Sequence, residues 1–235
     1  MGFKTTAFIT TAASILLASA PAFAATFTYE KINPLNGNND AGFNKSITTS
    51  YNDNSDLFKW SATFKENNGM LADGAWLVAN DGPNPKGHGG ESVIYYMDGL
   101  AEKVSMFTYS GKNNPNSYQS GTYLGSIDLD VSNSGNERTF SFQRDMTDIN
   151  NRTDLGKNWK GTAFGDKIGL WHHGVVGVNA GYDTDGKLTS FDFTKQGWYD
   201  IHNKDTTRVP EPATAASLGL FAVVGACIKR RKQSA

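Results

Sequence analysis

The sequence has one cysteine in 235 residues, Cys227, and it falls in an apolar run near the C-terminus. The body of the chain therefore has no disulfide, no thiol nucleophile and no cysteine ligand for zinc. Histidine is nearly as scarce. His88, His172, His173 and His202 are all there are, and none stands in the His-x-x-x-His spacing that puts two imidazoles on one helix face around zinc. The adjacent His172 and His173 would face opposite sides of a strand and share no metal; one is expected beside Trp171 and the other in water. Charge of one sign is lacking too. With 22 Lys and Arg against 23 Asp and Glu the net charge is −1, so no long-range field gathers phosphates and nucleic acid is not an expected partner. The Gly-x-Ser-x-Gly elbow, the phosphate loop and the dinucleotide fingerprint are all missing, which leaves cofactor chemistry no foothold.

What is present is uneven. Met1 to Ala24 carries a single charge, Lys4, followed by an apolar and small-residue run and then Pro21-Ala22-Phe23-Ala24. A positive start, a short apolar stretch and small residues at Ala22 and Ala24 predict a secretory signal peptide over 1–24, cut after Ala24. The other end mirrors it. Val209-Pro210-Glu211-Pro212 precedes sixteen uncharged residues, Ala213 to Ile228, and then Lys229, Arg230, Arg231 and Lys232. Sixteen helical residues span about 24 Å, enough for a single C-terminal transmembrane helix if the flanking basic side chains snorkel. Basic residues stay cytoplasmic, so this helix would anchor the chain in the inner membrane with the body, 25–208, outside.

The order Val-Pro-Glu-Pro, apolar helix, basic cluster at the chain end resembles the PEP-CTERM sorting signal of Gram-negative envelope proteins, a tail also labelled as an ice-binding-protein C-terminal domain. The resemblance covers Val209 to Ala235. It implies recognition by an exosortase-type processing enzyme that cuts near the Pro-Glu-Pro, after which the protein reaches the cell surface or the medium, often where exopolysaccharide is made. The alternative is an uncut C-terminal anchor.

Between the ends lie 21 Asn and 22 Gly in residues 25–208, with all five Trp and all nine Tyr. Asn and Gly accept left-handed backbone and tight turns, while aromatic residues suit pleated, half-buried surfaces. Leu57 to Lys65 alternates: Phe58, Trp60, Ala62 and Phe64 share one face, and Lys59, Ser61, Thr63 and Lys65 the other, as a strand with one wet side requires. Asp98-Gly99 and Asp185-Gly186 stand between apolar runs and predict hairpins. Further strands are expected at 26–32, 47–51, 75–79, 123–131, 139–144, 167–171, 175–178, 188–194 and 197–201. No apolar repeat near 3.6 residues is sustained. The expectation is all-β, two packed antiparallel sheets in a sandwich or jelly roll. Trp76, the run Ser92 to Gly99 and the run Ile168 to His173 resemble strings of concanavalin-A-like and laminin-G-like sandwiches. That likeness implies 12 to 14 strands with a sugar or calcium site in loops at one end.

Three candidate chemistries remain. Asp53 and Asp56, Asn36 to Asp40, and Asp183 and Asp185 offer side-chain oxygens in turn sequences that calcium could use, although Asx-turn chemistry accounts for them without any ion and no EF-hand loop is completed. Asp128 and Asp130 sit two apart, as paired carboxylates of a sandwich glycoside hydrolase do. The laminarinase-like Glu-x-Asp-x-Glu is only loosely resembled, since its first position is Ser126 here. The segment Asn80 to Glu91 holds two prolines and four glycines, which stiffen it and bare its backbone, so Asn80, Asp81, Asn84 and His88 could face a polyhydroxyl ligand. An ordinary turn-rich connection is the alternative there. Trp76, Trp171, Tyr118 or Trp198 could supply the aromatic platform, Trp76 and Trp171 being the named candidates, and the sequence does not choose among them. The sequence thus points to a non-enzymatic exported envelope or matrix protein with glycan contact; a glycoside hydrolase and a purely structural surface component are the alternatives.

Overall fold

The computed structural model describes residues 25–32, 37–82 and 84–210. The predicted leader 1–24, Glu211, Pro212, the apolar stretch 213–228 and the basic run Lys229, Arg230, Arg231 and Lys232 lie outside the described residues. Among those described, no helix is long and apolar enough to cross a membrane.

The strands are β1 (Ala25–Ile32), β2 (Gly37–Asn38), β3 (Phe43–Asn52), β4 (Leu57–Lys65), β5 (Gly74–Asn80), β6 (Val93–Asp98), β7 (Lys103–Thr108) and β8 (Tyr123–Asp128). They continue as β9 (Asp130–Ser134), β10 (Glu137–Asp145), β11 (Lys167–Val176), β12 (Asn179–Tyr182), β13 (Leu188–Asp192), β14 (Lys195–Gln196), β15 (Trp198–Asp205) and β16 (Thr207–Pro210). Two one-turn helices, α1 (Ser117–Ser120) and α2 (Thr147–Asn150), and a 3-10 turn at Pro85–Gly87 interrupt them. One sheet runs β16-β1-β3-β4-β10-β9 and the other β2-β15-β11-β5-β6-β7-β8, with β14 beside β11. The expected all-β sandwich is what forms, and the pairings within both sheets are antiparallel.

The period-2 pattern decides which residues meet between the sheets. Phe58, Trp60, Ala62 and Phe64 of β4 are buried, while Lys59 and Lys65 are exposed and Ser61 and Thr63 half-buried. Facing them from the second sheet are Leu77 of β5, Tyr95 of β6, Leu170 of β11 and Tyr199 of β15. Tyr95 stacks on Phe58 with centroids 5.4 Å apart. Its hydroxyl hydrogen-bonds Thr162, so the aromatic bulk is buried without an orphaned donor.

Every residue of β5 and of β6 is buried, which one core cannot explain. The outward face of the second sheet forms another cluster, in which Trp76, Val78, Ile94 and Tyr96 are covered by Tyr118 of α1 and by Leu188 and Phe191 of the β12–β13 hairpin. The sandwich therefore has a partial third layer. A strand buried on both faces reads as a continuous apolar run rather than an alternation, and Trp76 to Ala79 and Val93 to Met97 are such runs.

Three expected elements change. The stretch 123–131 is not one strand: Leu129, buried in the core, carries the chain from β8 in one sheet to β9 in the other, and its amide donates to the Glu102 carbonyl at 2.8 Å. The stretches 167–171 and 175–178 join into β11, because His172, His173 and Gly174 pair with Leu77, Trp76 and Ala75. The last strand, β16, runs to Pro210 and so includes the first two residues of the predicted sorting motif, Val209 and Pro210.

Candidate functional site

The loop 80–91 is held from within. The Asn80 Oδ1 accepts from the Gly82 amide at 3.2 Å, and Asn84 Oδ1 accepts from the Lys86 amide at 3.1 Å, capping the 3-10 turn that Pro85 begins. Asp81 pairs with Lys160 at 3.0 Å, and His88 Nδ1 lies 3.9 Å from Glu91. The loop also leans on the segment after β7. Gly90 donates to the Tyr109 carbonyl at 2.8 Å, and the Tyr109 hydroxyl donates to the Lys86 carbonyl at 2.7 Å. Gly89 has to be glycine, because a Cβ there would stand 2.4 Å from the Ser110 carbonyl oxygen. Asn80 Oδ1 and Asn84 Oδ1 are thus spent on the loop itself and the Asp81 carboxylate on Lys160, while Asn80 Nδ2 is buried without a partner; the side chain the loop delivers across the sheet is Lys86.

Lys86 reaches over the outward face of β11 and β15. Its ammonium forms an ion pair with Asp200 Oδ2 and lies 5.9 Å from the Trp171 ring centroid and 5.6 Å from that of Trp198. β15 places Trp198 and Asp200 on one face by simple alternation, and the β11–β15 register sets Asp200 opposite Trp171. Trp198 is 42% exposed, whereas Trp76 and Trp171 are 1% and 3% exposed. The two indoles expected as a platform therefore form its floor, and the open indole is Trp198.

Below Lys86, His173 stacks on Trp76 at 3.8 Å and meets the edge of Trp171 at 5.4 Å. Burial pushes its imidazole down to about 3, helped by His172 and Lys86, so it is neutral at ordinary pH. Neither ring nitrogen has a partner in good hydrogen-bond geometry, although the Gln196 carboxamide lies close enough to act on the ring as a weak acceptor and oppose part of the downward shift. Trp76 Nε1, Gln196 Oε1 and Asp200 Oδ1 are likewise buried and unpartnered. Buried polar atoms normally find partners, and these donors and acceptors on the outward face of β11 and its neighbours lack them; a second such set, Asn44 Oδ1, Thr49 Oγ1, Trp60 Nε1 and His172 Nδ1, lies among the other buried residues. Neither histidine is in water. His172 points the other way, into the inter-sheet core against Trp60, Phe64 and Tyr199, with Asn44 Nδ2 3.1 Å from its Nε2. The expectation of one wet histidine fails because both faces of the sheet are covered.

The other expected groups lie elsewhere. Asp128 ends β8 and Asp130 begins β9, in different sheets, and they line separate grooves. They do not share one strand face as a retaining pair would. Asp56 accepts from the Tyr51 hydroxyl and from Asn150 Nδ2 at 3.3 Å. Asp183 Oδ1 accepts from the Asp185 and Lys187 amides at 3.0 and 2.9 Å, closing the hairpin turn, and Asp185 itself is exposed. Asp53 Oδ1 accepts from the Ala25 nitrogen at 2.6 Å. These aspartates act as turn and strand acceptors, and among the described residues no group of three or more His, Cys, Asp or Glu is placed to hold a metal ion. One cavity, about 410 Å³, does unite two of the predicted residues, Asp53 and Asp81, with Lys160 and Tyr51.

Lys86, His173, Gln196 and Asp200 are the members that reading the sequence missed. The alternation Trp198-Tyr199-Asp200 could have shown that an indole and a carboxylate share a face. Nothing local to Lys86 reveals that its loop folds back over that face. No family model matches the chain, and neither a curated protein nor a solved structure matches it significantly.

Proposed function

We propose that this is an exported, non-enzymatic envelope or matrix protein, built as a jelly-roll type of sandwich, that contacts a glycan through Trp198, Lys86 and Asp200. The observation that carries the reading is the exposed Trp198 indole flanked by the Lys86–Asp200 pair, with unpartnered polar atoms of His173, Gln196 and Asp200 beneath it. A sugar ring offers axial C–H groups to an aromatic face and hydroxyls that both donate and accept, which is the combination this patch presents. Calcium is not needed by this reading.

Two features support the export and sorting part, in which a signal peptide over 1–24 is removed and a PEP-CTERM tail over 209–235 is recognised by an exosortase-type enzyme at the inner membrane. The sequence signals at the two ends agree on a topology with the body outside the membrane. The body's first and last strands are neighbours: Ala25 faces Pro210 and Thr26 faces Val209 across β1 and β16. Both tethers can then leave from one edge of the sandwich toward one membrane.

The test is a glycan-array and polysaccharide-retention screen of the exported protein, wild type against Trp198→Ala. Retention of an envelope polysaccharide that falls about tenfold or more in the variant supports the site, since removal of a central aromatic anchor is worth that much. Equal retention by wild type and variant removes Trp198 from the account. Release of reducing ends that disappears in Asp128→Asn would replace binding by hydrolysis.

A further inference from the structure

Ala25, the first described residue of β1, is wholly buried. Thr26 faces Asn52 in the β1–β3 register, so Asp53 stands opposite Ala25. The Asp53 amide donates to the Ala25 carbonyl at 3.1 Å, as a ladder requires. The return bond is different: the Ala25 nitrogen donates to the Asp53 carboxylate, 2.6 Å away, 28 residues along the chain. A carboxylate is a stronger acceptor than a peptide nitrogen needs, and its natural partner is a charged donor.

The peptide bond immediately before this nitrogen is the one that the sequence marks for cleavage, with small residues at Ala22 and Ala24. Hydrolysis adds water across the Ala24–Ala25 bond. The carbonyl carbon leaves as the carboxylate of Ala24, and the Ala25 nitrogen gains protons to become an α-ammonium with an ordinary pKa of about 8. We propose that Ala24–Ala25 is the processing site and that Asp53 is a built receptor for the α-ammonium released there, so that maturation turns a neutral hydrogen bond into an ion pair fastening β1. This rests on the export reading above.

The neighbourhood leaves Asp53 to that role. Asp53 shares its cavity with Tyr51, Asp81 and Lys160. Lys160 is engaged by Asp81 at 3.0 Å, and Asp56 by the Tyr51 hydroxyl. On its other side Ala25 faces Pro210, which carries neither an N–H nor a charge. Asp53 keeps contact with water, so the pair is screened and its effect is modest.

The experiment expresses the full chain in a Gram-negative host and purifies two forms, the exported protein and a cytosolic form that keeps its leader. N-terminal sequencing comes first. An exported protein beginning at Ala25 supports the proposal, one beginning elsewhere overturns it while leaving export intact, and a chain found only in the cytosol with its leader overturns the export reading itself. Asp53→Asn then keeps an acceptor oxygen and removes the charge. The expected result is a Tm lowered by about 2–5 °C in the exported form and nearly unchanged in the leader-bearing form. In the exported wild type the α-amine, labelled by reductive ¹³C-methylation, titrates about one unit higher than in Asp53→Asn. Equal Tm changes in both forms, or an α-amine titration unaffected by the substitution, overturns the assignment.

Discussion

At the scale of single residues, the adjacent histidines of β11 give the molecule a built-in sensitivity to acid. Alternation puts His172 and His173 on opposite faces, and so they are. What lies against each face is a tertiary fact that no local pattern carries, and both rings turn out to be buried, His172 completely. Burial lowers each pKa from about 6.5 to about 3. An unfolded histidine takes up its proton near pH 6.5 and the folded one does not until near pH 3. The unfolded state therefore binds more protons throughout that window, and stability falls as the pH is lowered through it. Between pH 6.5 and 4.5, where most carboxylates still stay ionised, each buried histidine removes about 2 kcal/mol. His172→Phe should flatten that fall by roughly half, because a phenyl ring suits the surrounding Trp60, Phe64 and Tyr199 and does not titrate. Urea midpoints of both proteins at several pH values check this; parallel curves would mean that the acid sensitivity arises elsewhere. The same limit explains the candidate site. Trp76 and Trp171 are legible as aromatic residues on strands, but their burial depends on where α1, the β12–β13 hairpin and the loop 80–91 fold over that face, which the residues of those segments do not encode locally.

At the scale of elements, turn chemistry was the most legible feature. Asp98-Gly99 does join β6 to β7, and Asp98 Oδ1 accepts from the Leu100 and Ala101 amides at 2.9 and 3.0 Å. Gly99 is required there by crowding, since a Cβ would lie 2.4 Å from the Asp73 carbonyl oxygen and 2.6 Å from the Phe140 ring. Asp185-Gly186 likewise closes the β12–β13 hairpin. What such signals do not say is where a hairpin docks. This one covers the outward face of the second sheet, with Phe191 buried and its ring centroid 5.3 Å from that of Tyr96. It is tied at its root by Asp73, whose carboxylate accepts from the Gly177 and Val178 amides at 2.9 and 3.2 Å. Phe191→Ala should cost about 3–4 kcal/mol through lost transfer energy and an unfilled cavity over Tyr96. If the hairpin is a true third layer, hydrogen exchange should accelerate in β12, β13 and the outward-packed α1 while β4 and β10 keep their protection relative to global stability. A loss spread evenly over both sheets would mean that the hairpin folds as one unit with the core.

At the scale of the whole molecule, the sandwich closes by bringing its two ends together, and this bears on how much of the chain can be removed. Among the described residues β16 pairs only with β1, whose other edge is taken by β3. It brings Arg208 over the Phe27 ring at 5.9 Å, and Val209 is half exposed. On sequence the body is expected to end at Arg208, because Val209 begins a stretch that resembles a sorting motif; a β-ladder continues for as long as backbone partners are available, whatever else the residues signal. Without β16, β1 becomes an open edge with unpaired N–H and C=O groups and loses the cover over Phe27, a template for pairing with a second copy. A chain ending at Pro210 should therefore keep the stability and the association state of the longer protein. One ending at Thr206 should lose about 1–3 kcal/mol, summing four ladder residues and one cation–π contact against the entropy they cost to order. It should also show concentration-dependent dimerisation in sedimentation. Equal stability of the two truncated chains would show that β16 adds nothing to the sheet. A sorting cut at or after Pro210 would preserve this strand and a cut before Val209 would shorten it, so the mass of the mature C-terminus and the stability of the released body should be read from the same preparation.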